Sequence, residues 1–154
     1  MEKMLIALDY SPKAQKIAED GYRIATAMRA KVTLLHVMVE ATYYSSLNYS
    51  PILGWDRFST VSESDSSTTL AAAAERFLEE IKMHLGDESI ETVVLNGDVK
   101  ERILETSMTT SSDIIVMGSY GKSGLERFFL GSIADDVLHH TEIALLVIPA
   151  VTPG

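Results

Sequence analysis

Apolar residues fall along this chain in two alternating rhythms. Residues 3–8, 32–38, 90–95, 114–117 and 143–148 form short, nearly unbroken apolar runs. Runs of that length and density suit strands of a parallel sheet covered on both faces. Between them the apolar positions return at helical spacing. Ala14, Ile17, Ala18, Gly21, Tyr22, Ala25 and Met28 make one stripe, and Leu70, Ala73, Ala74, Phe77, Leu78, Ile81 and Leu85 make a second. Ile103, Leu104, Ser107 and Met108 belong to a third, and Ile133, Ala134, Val137 and Leu138 to a fourth. The first helix is expected over residues 12–30, with Ser11 as its N-cap and Pro12 in its first turn. Gly86 ends the second, and Asp98 with Glu101 has capping-box spacing at the start of the third.

Strand and helix alternate five strands deep, and right-handed crossovers turn that order into an open, five-stranded parallel α/β sheet with helices on both faces. One Rossmann-like domain spanning residues 1–154 accounts for the whole pattern. Residues 40–69 interrupt it with Tyr43, Tyr44, Tyr49, Trp55 and Phe58, followed by a serine-rich run. So long a connection reads as an insertion holding a lid, a short helix, a partner surface, or an ordinary loop over its own sheet.

Composition narrows the chemistry. The 154 residues contain 13 Lys and Arg against 22 Asp and Glu, for a formal net charge of -9. That balance opposes broad adhesion to nucleic acid or anionic membrane, and the basic residues are scattered. With 0 Cys, thiol catalysis, disulfide scaffolds and cysteine-held metals are excluded. No apolar stretch reaches the length of a membrane span or a signal peptide, so a cytoplasmic protein is expected. His139 and His140 are adjacent and so face different directions on a helix, and His36 and His84 have no catalytic or ligand neighbours in sequence. No metal site made by protein alone is expected, and no nucleophile or paired-carboxylate motif stands out.

The most informative stretch follows the fourth strand: Met117-Gly118-Ser119-Tyr120-Gly121-Lys122-Ser123-Gly124, then Gly131-Ser132. It lies at the carboxyl end of a strand, where open α/β sheets bind ligands. Gly118 and Gly121 permit tight turns and close backbone approach, while Gly131 and Ser132 open a helix whose free amides favour phosphate oxygens. Two common nucleotide motifs fail here. A Walker A loop ending at Gly121-Lys122-Ser123 needs glycine at position 116, which is Val116. The dinucleotide pattern from Gly118 meets Tyr120 and Ser123 where it needs glycines. On residue types alone, phosphate binding and a bare structural turn both remain open.

The spacing of Gly118, Gly121, Gly131 and Ser132 resembles the ATP-binding signature of the universal stress protein family, and Leu130-Gly131-Ser132-Ile133-Ala134 resembles its usual wording. The similarity runs through nearly the whole chain: the first strand ending Asp9-Tyr10-Ser11, then Gly97, 113–118, and the closing Leu145-Leu146-Val147-Ile148-Pro149. The resemblance implies a fold like that of adenine nucleotide alpha hydrolases, with ATP as ligand and Mg2+ or Mn2+ held through its phosphates. By that similarity Asp9 holds the ribose or adenine side and Gly118 lines the ribose. Gly121, Gly131 and Ser132 would surround the phosphates. Some family members carry a second hydroxyl residue just after that serine, whereas here Ile133 and Ala134 follow.

Chemistry agrees in outline. A carboxylate accepts from ribose hydroxyls and repels phosphates. Val37 and Met38 are candidates for an apolar adenine wall, although core packing is the better reading of Val37 on residue type alone. Asp9 also suits a turn or cap, and Lys122 either reaches over phosphates or is simply solvated. The resemblance further implies a homodimer formed partly through residues 143–148, and an apolar edge strand invites such pairing. The expected function is an ATP-binding sensor or regulator, with at most slow hydrolysis, that presents its surface to a protein partner. Alternatives are a protein-interaction regulator of the same fold that does not bind ATP, and an adenylyl-transferring enzyme.

Overall fold

The computed structural model describes residues 2–38, 67–119 and 131–149. Its elements follow in the order β1 (Lys3–Ala7), α1 (Ala14–Met28), β2 (Lys31–Met38), α2 (Ser67–Leu85), β3 (Glu91–Asn96), α3 (Val99–Thr109), β4 (Ile114–Ser119), α4 (Ser132–His140) and β5 (Ala144–Pro149). The strands form one parallel sheet in the order β3-β2-β1-β4-β5. The expected fold class is the one observed. The aromatic and serine-rich stretch lies almost wholly outside the described residues, which resume at Ser67.

Alternation along each strand sends neighbouring side chains into two cores. Met4, Ile6 and Leu8 of the first strand and its exit pack with Val32, Leu34, Met38 and Val116 beneath α1 and α2. Leu5 and Ala7 pack with Leu35, Val37, Ile115 and Met117 beneath α3 and α4, which supply Ile103, Ala134 and Val137. Because both faces are covered, β1 is buried from Met4 onward and β2 from Val32 onward. The strands could not carry polar alternation without leaving buried polar groups unmatched.

Several boundaries differ from the sequence expectation for local reasons. Ser11-Pro12-Lys13 forms a turn before α1, in which Ala14 N–H donates to Ser11 O at 3.2 Å. Lys13, not Ser11, therefore occupies the N-cap, and Ser11 Oγ instead accepts from Lys13 N–H at 3.2 Å. The other end of α1 closes with Arg29 in the left-handed region (φ 58°) and Ala30 N–H donating back to Ala25 O at 2.9 Å. The expected cap of α3 is present: Asp98 accepts from Glu101 N–H at 3.0 Å. Met108 and Leu138 leave the apolar stripes assigned to them and are exposed, at 77% and 51%. Met108 lies five residues beyond the buried Ile103, well over a quarter turn off its face.

α1 lies close over the centre of the sheet because Gly21 has no side chain. A Cβ there would lie 3.0 Å from Ile6 Cδ1 and 3.2 Å from Val116 Cγ1, on β1 and β4. Ile6 and Val116 are both fully buried and have no room to retreat. Gly21→Val is therefore expected to destabilise the protein by about 2 kcal/mol through overpacking. Urea unfolding checks this; an unchanged midpoint would mean that α1 rides up without cost.

Candidate functional site

Chain order and sheet order part company at one place. β1, β2 and β3 step outward in one direction, and the chain then crosses back to lay β4 on the other side of β1. The segments leaving β1 and β4 consequently diverge, α1 returning over one face and α4 over the other. In open α/β sheets such a reversal is where a ligand-binding crevice is expected, here at the carboxyl ends of β1 and β4. The registers describe its opening. β1 pairs with β4 only as far as Ile6↔Val116, whereas β4 stays paired with β5 to Ser119↔Pro149 and β2 with β3 to Met38↔Asn96.

Two of the sequence-predicted residues flank this crevice from the strand side. Asp9 follows β1 by two residues, and its Oδ1 is shielded from solvent. Gly118 is buried in the last turn of pleat of β4, in register with Ile148. Gly131 and Ser132 come from the start of α4. Gly131 is its N-cap at φ 93° and ψ 141°, a conformation essentially restricted to glycine. Gly131 offers no side-chain cap, so among the described residues no cap side chain engages the first-turn amides of α4. Its own carbonyl accepts from Asp135 N–H at 2.9 Å. Ser132 is exposed. Gly121 and Lys122 lie outside the described residues.

Val37 and Met38 end β2, and the pleat separates them. Val37 belongs to the core under α3 and α4, Met38 to the core under α1 and α2. Their side chains therefore do not form one wall. The backbone of Met38 is engaged by the next turn, where Gly97 N–H donates to Met38 O at 3.3 Å. Gly97 sits at φ 128°, with Arg102 Nε only 2.8 Å from where a Cβ would stand.

Histidines divide sharply. His139 and His140 are exposed, and each Nδ1 bonds a carbonyl of its own helix, Asp135 O and Asp136 O, at 2.7 Å. His84 meets Glu19 at 2.8 Å on the surface between α1 and α2. Hydrogen bonds from Gln15 and His84 hold the Glu19 carboxyl below its ordinary range. Among the described residues, no three His, Asp or Glu side chains converge as a metal site, and no helix is long and apolar enough to cross a membrane.

His36 was the one sequence reasoning missed. It is 2% exposed, and its Nδ1–H donates to Leu8 O at 2.8 Å, immediately before Asp9. The carbonyl can only accept, which fixes the neutral ring as the Nδ1–H tautomer. Its ring meets Phe77 edge-on at 5.4 Å, and Phe77 also packs against Tyr10 at 5.5 Å. The partners are 28 residues apart in the case of Leu8, so no local motif announces them. Strand parity was the available signal, since His36 shares the face of Leu34 and Met38.

Burial lowers the His36 pKa, and the bond to Leu8 O opposes that only partly. The unfolded chain therefore takes up this proton first as pH falls. The contribution to stability is whole above the ordinary imidazole value of 6.5 and is lost below it. Its slope is at most about 1.4 kcal/mol per pH unit. Thermal melts from about pH 7.5 to about pH 5.5 should show a decline that is shallower in His36→Asn. Parallel curves would remove His36 as its source.

Comparison with known proteins follows the same architecture. A sequence profile described as "Universal stress protein family" matches residues 1–149. Universal stress protein MJ0577 of Methanocaldococcus jannaschii is 27% identical over 152 residues, covering 96% of this chain and 94% of its own. Universal stress protein A homolog 1 of Coxiella burnetii is 27% identical over 136 residues, 88% of each chain. The solved structure of MJ0577 superposes with a TM-score of 0.70 at 24% identity, covering 99% of both chains. A universal stress protein solved in complex with cAMP gives 0.65 at 16% identity, covering 96% of both. One from Archaeoglobus fulgidus in complex with dAMP gives 0.61 at 17%, covering 96% of this chain and 98% of that one.

Proposed function

This chain is a member of the universal stress protein family, and we propose that it binds ATP in the crevice between β1 and β4 and acts as a nucleotide-dependent regulator. The observation that carries this reading is the pairing of opposite chemistries across one strand gap. Asp9 stands beyond β1, and the uncapped amides of α4 stand beyond β4, behind a Gly131 whose backbone excludes other residues. A carboxylate suits ribose hydroxyls, and uncapped amides at a helix N-terminus suit phosphate oxygens. The residues present thus fit an adenine nucleotide. Relatives of the same fold that hold cAMP and dAMP support the adenine assignment.

On this reading Asp9 orients the ribose or adenine side, and Gly118 gives the sugar backbone-close access. Gly121, Gly131 and Ser132 receive the phosphates through amides and one hydroxyl, with Lys122 reaching over them. Of the two residues ending β2, Val37 and Met38, each side chain lines a different core, so the adenine contact falls to one of them or to backbone. Bound ATP supplies a polyanion, which Mg2+ or Mn2+ on its phosphates partly neutralises. Asp9 serves binding, not proton transfer, and hydrolysis is at most slow. The soluble, acidic chain works in the cytoplasm as a homodimer paired along Ala144–Pro149, an edge strand of the sheet, and signals to a protein partner.

Calorimetric titration of ATP with Mg2+ into stripped, refolded protein tests the reading. Saturable binding of one nucleotide per chain is expected. A folded Gly121→Val plus Gly131→Val variant should lose it, since valine at Gly131 has neither the required φ nor the space at the phosphates. Absence of binding by folded wild type at millimolar ATP would sink the proposal and turn the search to protein partners.

A further inference from the structure

The residues on both sides of Asp9 in the chain are themselves held in place. On one side, Leu8 has both backbone groups tied to β2. Its N–H donates to Leu35 O at 2.8 Å, and its carbonyl accepts from His36 Nδ1–H at 2.8 Å. β1 itself ends at Ala7, so the His36 bond acts where the chain is leaving the sheet. The Leu8 carbonyl and the Asp9 amide share one planar peptide unit. Fixing that carbonyl fixes the plane from which Asp9 departs.

On the other side stands Tyr10, 3% exposed, with its ring against Phe77. Phe77 is 2% exposed and also abuts the His36 ring, at an interplanar angle of 75°. Tyr10, Phe77 and His36 are therefore consecutive members of one buried aromatic cluster, packed at tilted and edge-on angles. Phe77 belongs to α2 and His36 to β2, so two elements outside the β1 turn hold the residues on either side of Asp9.

We propose that His36 is a positioning residue for nucleotide binding, aiming the Asp9 carboxylate by pinning the Leu8–Asp9 peptide, with Phe77 bracing the ring. This inference rests on the ATP-binding reading above. His36 touches no ligand in this scheme. A histidine is suited to the task because its Nδ1–H reaches a carbonyl while the rest of the ring fills an apolar space.

The test is a double-mutant cycle read by ATP titration, using wild type, His36→Leu, Asp9→Ala and the double variant, each confirmed folded by circular dichroism and urea unfolding. Leucine keeps apolar volume and removes the donor. His36→Leu is expected to weaken ATP binding about tenfold, the scale of one lost hydrogen bond. In the Asp9→Ala background the same change should have almost no effect, because there is no carboxylate left to aim. His36→Asn restores an N–H at nearly the place of Nδ1 and should recover most of the affinity. If His36→Leu does not fold, the comparison of His36→Asn with Phe77→Leu replaces it: affinity kept in the first and reduced in the second only when Asp9 is present.

The outcomes separate the two claims. No ATP binding by wild type overturns the function proposed above. Wild-type binding with an equal loss from His36→Leu in both backgrounds, or with no loss in either, overturns the positioning role and leaves ATP binding standing.

Discussion

Everything at the candidate site depends on β1 being hydrogen-bonded on both sides within a sheet that is itself covered on both faces. Met4 to Ile6 have neighbouring strands left and right and helices above and below, so this stretch of chain is held on every side and almost wholly removed from solvent. Polar chemistry can reach this centre only where the strand ends. The reversal of chain direction across the sheet then decides which end is accessible. At the carboxyl edge, β1 and β4 lose their pairing after Ile6↔Val116 while each remains paired to its outer neighbour. The fold opens at its most constrained strand, which gives a rigid frame to whatever enters.

That frame also answers an electrostatic objection. A chain of net charge -9 is a poor general host for a polyanion. Charges spread over the surface are screened beyond a Debye length of roughly 8–10 Å, whereas amide donors in direct contact are not. Under the proposed reading, the amides at the start of α4 therefore count for more with a bound phosphate than the distant surplus of carboxylates. Asp135 in the first turn of α4 is one carboxylate on the same helix end; it lies 3.5 Å from His139 Nδ1 and is half exposed. On that same reading, a divalent cation on the nucleotide's phosphates would offset the remaining repulsion.

The fold was legible because burial writes itself into composition: five short, mainly apolar runs become five strands within a residue or two. Helix ends were less legible where a cap competed with a turn. Asp98 capped as expected, accepting from Glu101 N–H, while Ser11 yielded to a Ser11–Ala14 turn. Met108 and Leu138 went astray because apolar type alone does not distinguish a core position from an exposed one at the margin of a stripe. For the site, the glycine turn and the family resemblance singled out Asp9, Gly118, Gly131 and Ser132, which follow β1, lie in β4 and open α4. They could not reveal that Val37 and Met38 face opposite cores, nor that His36 serves Leu8, since both are consequences of strand pairing over long chain separation.

The two cores divide the site between them. The segment bearing Asp9 is secured from the core under α1 and α2, through Leu8, Tyr10, His36 and Phe77. The start of α4 is secured from the other core, through Ala134 and Val137 against the strands. The sheet separates these groups, so each is in direct contact with the helices of its own face. A shift of α2 therefore acts first on the turn that carries Asp9, and a shift of α3 acts first on α4 and Gly131. Under the proposed reading, the ribose side and the phosphate side of one ligand report on different halves of the molecule. That is the arrangement a regulator needs: bound nucleotide bridges the two halves, so a partner that perturbs either one alters how tightly the whole ligand is held.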